Sequence, residues 1–409
     1  MGGQHVAVVG AGIIGSCCAL ELRRRGFEVT VVDPAPPGSG ASKGNAGGIA
    51  PGEVLPLASP GILRKAPRWL LDPLGPLAVR PGYLPQLVPW LWRFWRASSA
   101  AQVQRSARAL AALNGLTFEL TEPLFRETGL SGDLRKIPAL NLYESETAFQ
   151  RDHAAWQLRA ELGVRLQMLE GAALRELEPT IGPMFTRGVL LEDWALVSDP
   201  YHVARQLARA AEERGADFRS RRVVGAAGLA LRLEGGESLT ADHVVIAAGA
   251  WSHRLARNWG DKIPLEAERG YNTTLPAPGI SLGRELIFSE HGFVATPLSV
   301  GLRIGGAAEL AGLEAPPNYA RSAAMLTKAK RFLPGLASDG GSQWMGARPS
   351  LPDSLPVIGP SPGQRGVVYA FGHGHLGLTQ GAATGRLVAD IITGQDPPID
   401  LAPFRADRF

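Results

Sequence analysis

Three glycines constrain this chain more than any other residues. Val6, Ala7, Val8 and Val9 form the short apolar run of a strand buried on both faces, and Gly10, Gly12 and Gly15 follow with no spacer. In this GxGxxG spacing Gly10 permits the tight turn, Gly12 lets backbone approach a pyrophosphate, and Gly15 lets the following helix pack close to the strand. The N–H groups at the helix start then face the phosphates. The helix is expected to run to about Arg25 and stop at Gly26, after which residues 28–32 read as a second strand ending in Asp33. An acid there accepts a bond from a ribose 2′-OH and repels a 2′-phosphate. Strand, turn, helix and acid in this order point to a dinucleotide site. A glycine turn in an ordinary βαβ unit is the alternative.

The 409 residues allow two or three domains, and 45% hydrophobic content allows a sizeable core. A net charge of +4 from 42 basic and 38 acidic residues, with no basic block, argues against a nucleic-acid partner. Cys17 and Cys18 are adjacent inside the expected first helix and read as small packing residues. No disulfide framework or metal motif accompanies them. The first strand begins by residue 5, leaving no room for a secretory signal, and no apolar run of about 18 residues occurs. A cytoplasmic protein with no membrane span is expected.

Residues 34–52 form a loop rich in Pro, Gly and Ser, which is either a flexible linker or backbone laid against a flat ligand or phosphate. Its place directly after the ribose-binding strand favours the second reading. Residues 67–96 contain Trp69, Trp90, Trp92 and Trp95, with Arg64, Lys65, Arg68, Arg80, Arg93 and Arg96 in or beside the segment and Asp72 as its only acid. That pattern suits a segment lying in a membrane interface, or a helix packed on the core or over a cofactor with its arginines solvated. Leu110, Leu113, Leu116, Leu120 and Leu124 recur at helical spacing within residues 97–129. Residues 188–191 and 195–198 read as two strands of one antiparallel sheet, and 201–214 as a helix. The strand 244–247 runs into Ala248, Gly249 and Trp251, delivering small residues close to the ligand. Short strands between 266 and 306 read as a further antiparallel sheet, followed by a helix over 319–332, a strand over 367–371, a glycine turn over 372–377 and a helix from about 380 to 392. A reductase with two dinucleotides would normally show two GxGxxG turns, and no second one follows a strand here.

Five stretches narrow the reading: GASKGNAG at 40–47, WLLDPLGPL at 69–77, ERGY at 268–271, WMGARPSLPDSLPVIG at 344–359 and YAFGHGHLGLT at 369–379. In them the chain resembles the FAD-dependent D-amino-acid oxidase superfamily over essentially its whole length, in particular the D-amino-acid dehydrogenase branch and the glyphosate oxidoreductases. The resemblance implies an α/β fold: a Rossmann-type, glutathione-reductase-like FAD-binding domain from residues 1–62, 199–262 and 343–409, and a discontinuous α+β substrate domain on an antiparallel sheet from 63–198 and 263–342. It implies noncovalent FAD, since the only cysteines lie in the pyrophosphate helix and a cysteinyl link is excluded on position. The residues it places at the cofactor are Gly10, Gly12, Ile13, Ile14, Gly15 and Asp33; Ala41, Ser42, Lys43, Asn45, Ala46, Gly47 and Gly48; Val223, Ala248, Gly249, Trp251 and Gly346; and Gly372, His373, Gly374, His375, Leu376, Gly377, Leu378 and Thr379.

The resemblance also implies a reaction. Arg348 matches an arginine that grips the substrate carboxylate, a task suited to a planar two-pronged donor, and Tyr271 matches a tyrosine that closes over the substrate. His373 and His375 either sit by the flavin or substrate or bond to neighbouring backbone. Hydride then passes from the α-carbon of a small amino acid, a D-amino acid first, to flavin N5, and the imine hydrolyses in water to a 2-oxo acid. No side chain need act as a strong base. Secondary amino acids such as sarcosine, proline derivatives, hydroxyproline or glyphosate are the alternative substrates, and a non-catalytic, membrane-docked flavoprotein is the alternative of another class. Quinone or O2 is the expected electron acceptor, with residues 69–96 a candidate for peripheral docking on the inner face of the cytoplasmic membrane.

Overall fold

In the computed structural model, residues 3–60, 75 and 77–409 are described. The first strand, His5–Val9, sits mid-sheet because its residues are apolar on both sides, the condition for a parallel strand covered on both faces. The sheet order is Asp217–Ser220, Glu28–Asp33, His5–Val9, His243–Ile246, Val367–Phe371 and Val357–Pro360. All neighbours are parallel except the last pair. Helix Ile13–Arg24 covers one face with helices Pro200–Glu213 and Gly377–Thr393, and the three share one apolar core with the strands. A Cβ at Gly385 would lie 2.7 Å from the backbone oxygen of Cys17, so the two long helices approach as closely as they do only because Gly385 has no side chain. A small sheet, Val223–Ala227, Ala230–Leu233 and Ser238–Thr240, covers the other face. This is the doubly wound layer that the glycine turn predicted.

A nine-stranded sheet forms the second layer system. Its main path runs Ser342–Ser350, Glu266–Leu275, Gly301–Leu310, Phe293–Leu298, Leu286–Phe288, Ala139–Tyr143, Arg187–Leu191 and Leu166–Glu170, with Leu77–Val79 paired alongside Gly301–Leu310. Helix Ala320–Phe332 closes its reverse face through Met325, Ala329 and Phe332. Strand Ser342–Ser350 belongs here, paired with Glu266–Leu275 throughout its length, and the chain rejoins the first sheet at Val357.

A second expectation also changes. Arg187–Leu191 and Ala195–Val197 lie in different sheets: the former pairs with Ala139–Tyr143 and Leu166–Glu170, the latter with Gly48–Ile49 and Leu134–Lys136. The switch occurs at Trp194, whose indole N–H is drawn to the buried Glu285 carboxylate 2.9 Å away. By changing sheets here, the chain fastens the glycine-rich loop to the second layer. Helices Ala100–Gly115 and Thr117–Glu127 form where leucine periodicity placed them. No helix among the described residues is long and apolar enough to cross a membrane.

Candidate active site

At the first turn Gly10 has φ +109°, and a Cβ there would sit 2.7 Å from the carbonyl carbon of Ala247. Its N–H donates to Val32 O at 2.9 Å, which closes the turn against the second strand. Asp33 is drawn into the same turn, accepting from the N–H of Ala11 at 2.8 Å and of Ala35 at 2.9 Å. Burial pushes its carboxyl up, while these two donors pull it down. Gly12 begins the helix without a side-chain cap or an acid in the first turn. Ser42 Oγ takes the Ile13 N–H at 3.0 Å, and helix geometry leaves the next first-turn N–H groups without an intrahelical partner.

From this turn a cavity of about 1460 Å³ runs between the two large sheets. Single small-molecule pockets are typically about 300–1,000 Å³, so there is room for a dinucleotide together with a small substrate. All of the expected cofactor residues line it except Gly15, Lys43, Gly47 and Thr379. Those four support the wall instead. Gly15 is pressed on the Gly10 carbonyl, and Gly47, at φ +97°, gives its oxygen to Val197 N at 2.9 Å. Lys43 turns outward over the Tyr201 ring, and Thr379 Oγ1 accepts from Ala50 N at 3.0 Å.

The far end is built by strand alternation. Glu266–Leu275 and Ser342–Ser350 pair with Glu268 opposite Arg348, Gly270 opposite Gly346 and Asn272 opposite Trp344, so these six share one face. The Trp344 ring lies over Gly44 and Gly346, where any Cβ would overlap it. Asn272 Nδ2 donates to Gly44 O at 2.9 Å, and Arg303 Nη1 donates to Asn45 O at 2.5 Å. The sheet therefore holds the glycine loop by three side chains that sequence reading missed. Only the pairing of distant strands reveals them.

Arg348 Nη1 donates to Glu268 Oε1 at 2.9 Å and to the Ala307 carbonyl at 3.1 Å. That carbonyl is aimed by a bulge in Gly301–Leu310, where Ala307 adopts φ +51°. His375 Nε2 lies 3.0 Å from the same Glu268 oxygen. Burial alone would push the Glu268 carboxyl up, but facing His375 and Arg348 outweigh it and hold it down at about 2. His373 behaves differently. It is buried, bonded to Thr384 Oγ1 at 2.9 Å and pushed down to about 3 by burial, so it is a neutral tie between the glycine turn and the last helix.

Tyr271 requires a correction. It stands three residues after Glu268, so alternation turns its side chain to the reverse face. Its hydroxyl donates to the Glu309 carboxylate and accepts from Asn318 N at 3.0 Å, while Glu309 also pairs with Arg269 at 3.2 Å. Burial first, then Glu309, pushes the phenol up to about 12. The hydroxyl is thus directed away from Arg348, while Tyr271 is among the residues that line the cavity.

Helix Leu84–Ala97 roofs the cavity through Trp90, Leu91 and Phe94. Its other side leaves Val88, Trp92 and Trp95 about half exposed. The helix thus has one face on the cavity and one face exposed, while residues 67–74 and 76 of the segment lie outside the described residues.

Residues 5–391 match the model of the DAO family, FAD dependent oxidoreductase. The chain belongs to this family. It is 38% identical to a D-amino-acid oxidase of Bradyrhizobium diazoefficiens, over 100% of this chain and 99% of the relative. Identity is 31% to a D-amino acid dehydrogenase of Xanthobacter autotrophicus, over 99% of each. Among solved structures, glycine oxidase from Geobacillus kaustophilus shares the fold with a TM-score of 0.78 and 24% identity, each chain covered completely. This DAO-family protein is an FAD-dependent oxidoreductase, and its cavity fits that cofactor. The helix start at Gly12 suits the diphosphate and Asp33 the ribose, and Gly48, Gly346 and Gly372 line the cavity beyond them. When bound, FAD supplies the two-electron acceptor, and the chain supplies position and electrostatics.

Proposed function

We propose that the protein oxidises the C–N bond of a small amino acid, a D-amino acid first among candidates, to an imine that water hydrolyses to a 2-oxo acid. The placement of Arg348 supports this reading most directly. Its guanidinium lies across Gly270 inside the cavity, and both of its hydrogen bonds among the described residues leave from Nη1. Nε and Nη2 remain for a carboxylate, the two-pronged geometry in which Arg excels. Gripping the carboxylate fixes the α-carbon, and position accounts for much of the barrier lowering in such reactions. The names of the two curated relatives agree with amino-acid oxidation. The test is anaerobic bleaching of the purified flavoprotein by a panel of D-amino acids, sarcosine, D-proline, hydroxyproline and glyphosate. A protein that no amine bleaches refutes the assignment. In Arg348→Lys, FAD stays bound and substrate binding weakens at least about tenfold; unchanged turnover removes Arg348 from the site.

The same reading includes a peripheral membrane partner for electron transfer, on the inner face of the cytoplasmic membrane. Leu84, Val88, Trp92 and Trp95 are exposed on helix Leu84–Ala97, which carries Arg93 and Arg96 and no acid. Aromatic and aliphatic side chains beside arginines suit an anionic lipid surface. Flotation with anionic vesicles should retain the protein and should lose it in the double variant Trp92→Ser, Trp95→Ser. Equal recovery of both proteins, or rapid O2 reduction by a protein that ignores vesicles, refutes it.

A further inference from the structure

The carboxylate end of the cavity contains a charge arrangement that no part of the reaction just described uses. Arg348 is not a free cation, because Glu268 Oε1 lies 2.9 Å from its Nη1, and the two charges sum to zero. A third group reaches the same oxygen: His375 Nε2, at 3.0 Å. Glu268 is buried, with 9% of its side chain accessible, whereas 43% of the His375 side chain is accessible and can exchange protons with solvent. The charged groups facing His375 are Glu268 from strand Glu266–Leu275 and, through that shared oxygen, Arg348 from strand Ser342–Ser350.

We propose that Glu268 neutralises Arg348 and that His375 supplies the net positive charge met by the substrate's carboxylate, so that anion binding here is switched by protonation of His375. This rests on the reading of Arg348 as the carboxylate anchor. Without Glu268 the guanidinium would attract anions at every pH. With Glu268 kept ionised by the Arg348 guanidinium 2.9 Å away, the sum over the three groups is zero when the imidazole is neutral and +1 when it is charged. Arg348 then sets the geometry of binding and His375 its strength. Glu268 is a positioning residue, since it acts on the substrate only through these two neighbours.

The experiment uses the purified holoenzyme and benzoate, a carboxylate with no amine to titrate, followed by perturbation of the flavin absorbance between about pH 5 and pH 9. An interaction between charges a few ångströms apart at a half-exposed site gives a wild-type Kd that rises about tenfold across this range. His375→Gln should bind weakly and without pH dependence. Glu268→Gln, whose charge sum at pH 9 is +1 where the wild-type sum is zero, should bind at least about fivefold more tightly than wild type at that pH, an outcome that a merely structural role for Glu268 does not produce. A flat wild-type profile, or weaker binding by Glu268→Gln at pH 9, overturns the proposal. If Glu268→Gln fails to retain FAD, the wild-type and His375→Gln profiles decide alone. Benzoate that binds Arg348→Lys as tightly as wild type refutes the anchor itself, whereas an Arg348-dependent but pH-independent affinity refutes only the switch.

Discussion

Gly270→Ala separates the site from the fold more cleanly than removing Arg348 does. An added Cβ would fall on Arg348 Cζ and Nη2 and lie 2.7 Å from its Nε. The three nearest atoms all belong to Arg348, and Gly270 is not among the glycines with positive φ. What must move is the far end of one flexible side chain, so the guanidinium swings off the strand and the backbone stays. Arg348 then loses its bonds to Glu268 and Ala307, and a charge-assisted hydrogen bond contributes about 1.5–3 kcal/mol. A similar loss at the substrate carboxylate raises KM roughly tenfold to a hundredfold. The unfolded chain loses entropy when Gly becomes Ala, which returns about 0.4–1 kcal/mol of stability and offsets part of that loss. The assay is KM and kcat for whichever amino acid bleaches the flavin, with the FAD-to-protein ratio and Tm measured alongside. Gly346→Ala is the contrasting variant, because its Cβ meets the Trp344 ring, itself laid on Gly44. Moving that ring disturbs the glycine loop beneath it, and FAD retention falls. An unchanged KM in Gly270→Ala would show that the guanidinium does not work from the position described.

Two further outcomes follow from buried titratable groups. Glu285 accepts from Trp194 Nε1 at 2.9 Å and from Thr296 Oγ1 at 3.1 Å, and burial pushes its carboxyl up to about 7. A raised carboxyl contributes stability in full below its ordinary value near 4.5 and loses it as pH rises to about 7. Glu285→Gln therefore raises Tm relative to wild type at pH 8 and leaves it unraised at pH 4.5; the reverse order would contradict the argument. His373, pushed down to about 3, acts in the opposite sense: stability is complete above the ordinary value of 6.5 and falls as pH drops toward 3. Urea unfolding of His373→Gln should show a shallower acid slope than wild type, by up to about 1.4 kcal/mol per pH unit, and equal slopes would exclude the buried neutral histidine.

What could be read from the sequence was what neighbouring residues decide together. The strand, glycine turn, helix and acid of residues 5–33 are one local unit whose parts lie within hydrogen-bonding reach, as Gly10 to Val32 and Ala11 to Asp33 show. The leucine period of the middle helices is equally local. Contacts set by sheet pairing were hidden. Trp344 over Gly44, Arg303 on Asn45 and Trp194 on Glu285 each join segments far apart in the chain, and no spacing announces them.

The ERGY stretch shows where the boundary lies. Once residues 266–275 are read as a strand, alternation alone decides that Glu268 and Tyr271, three apart, occupy opposite faces. Only one of them can share a face with Arg348. Which one depends on register, and register is set by the pairing of Glu268 with Arg348 across the sheet. The pairing goes with what each face buries: Tyr271 joins the apolar core behind the sheet that holds Phe293, Met325 and Phe332, with its hydroxyl spent on Glu309. Glu268 on the cavity side finds Arg348 and His375 instead. Core packing behind the sheet thus selects the acid of the motif, and not its tyrosine, as the residue that meets the carboxylate anchor.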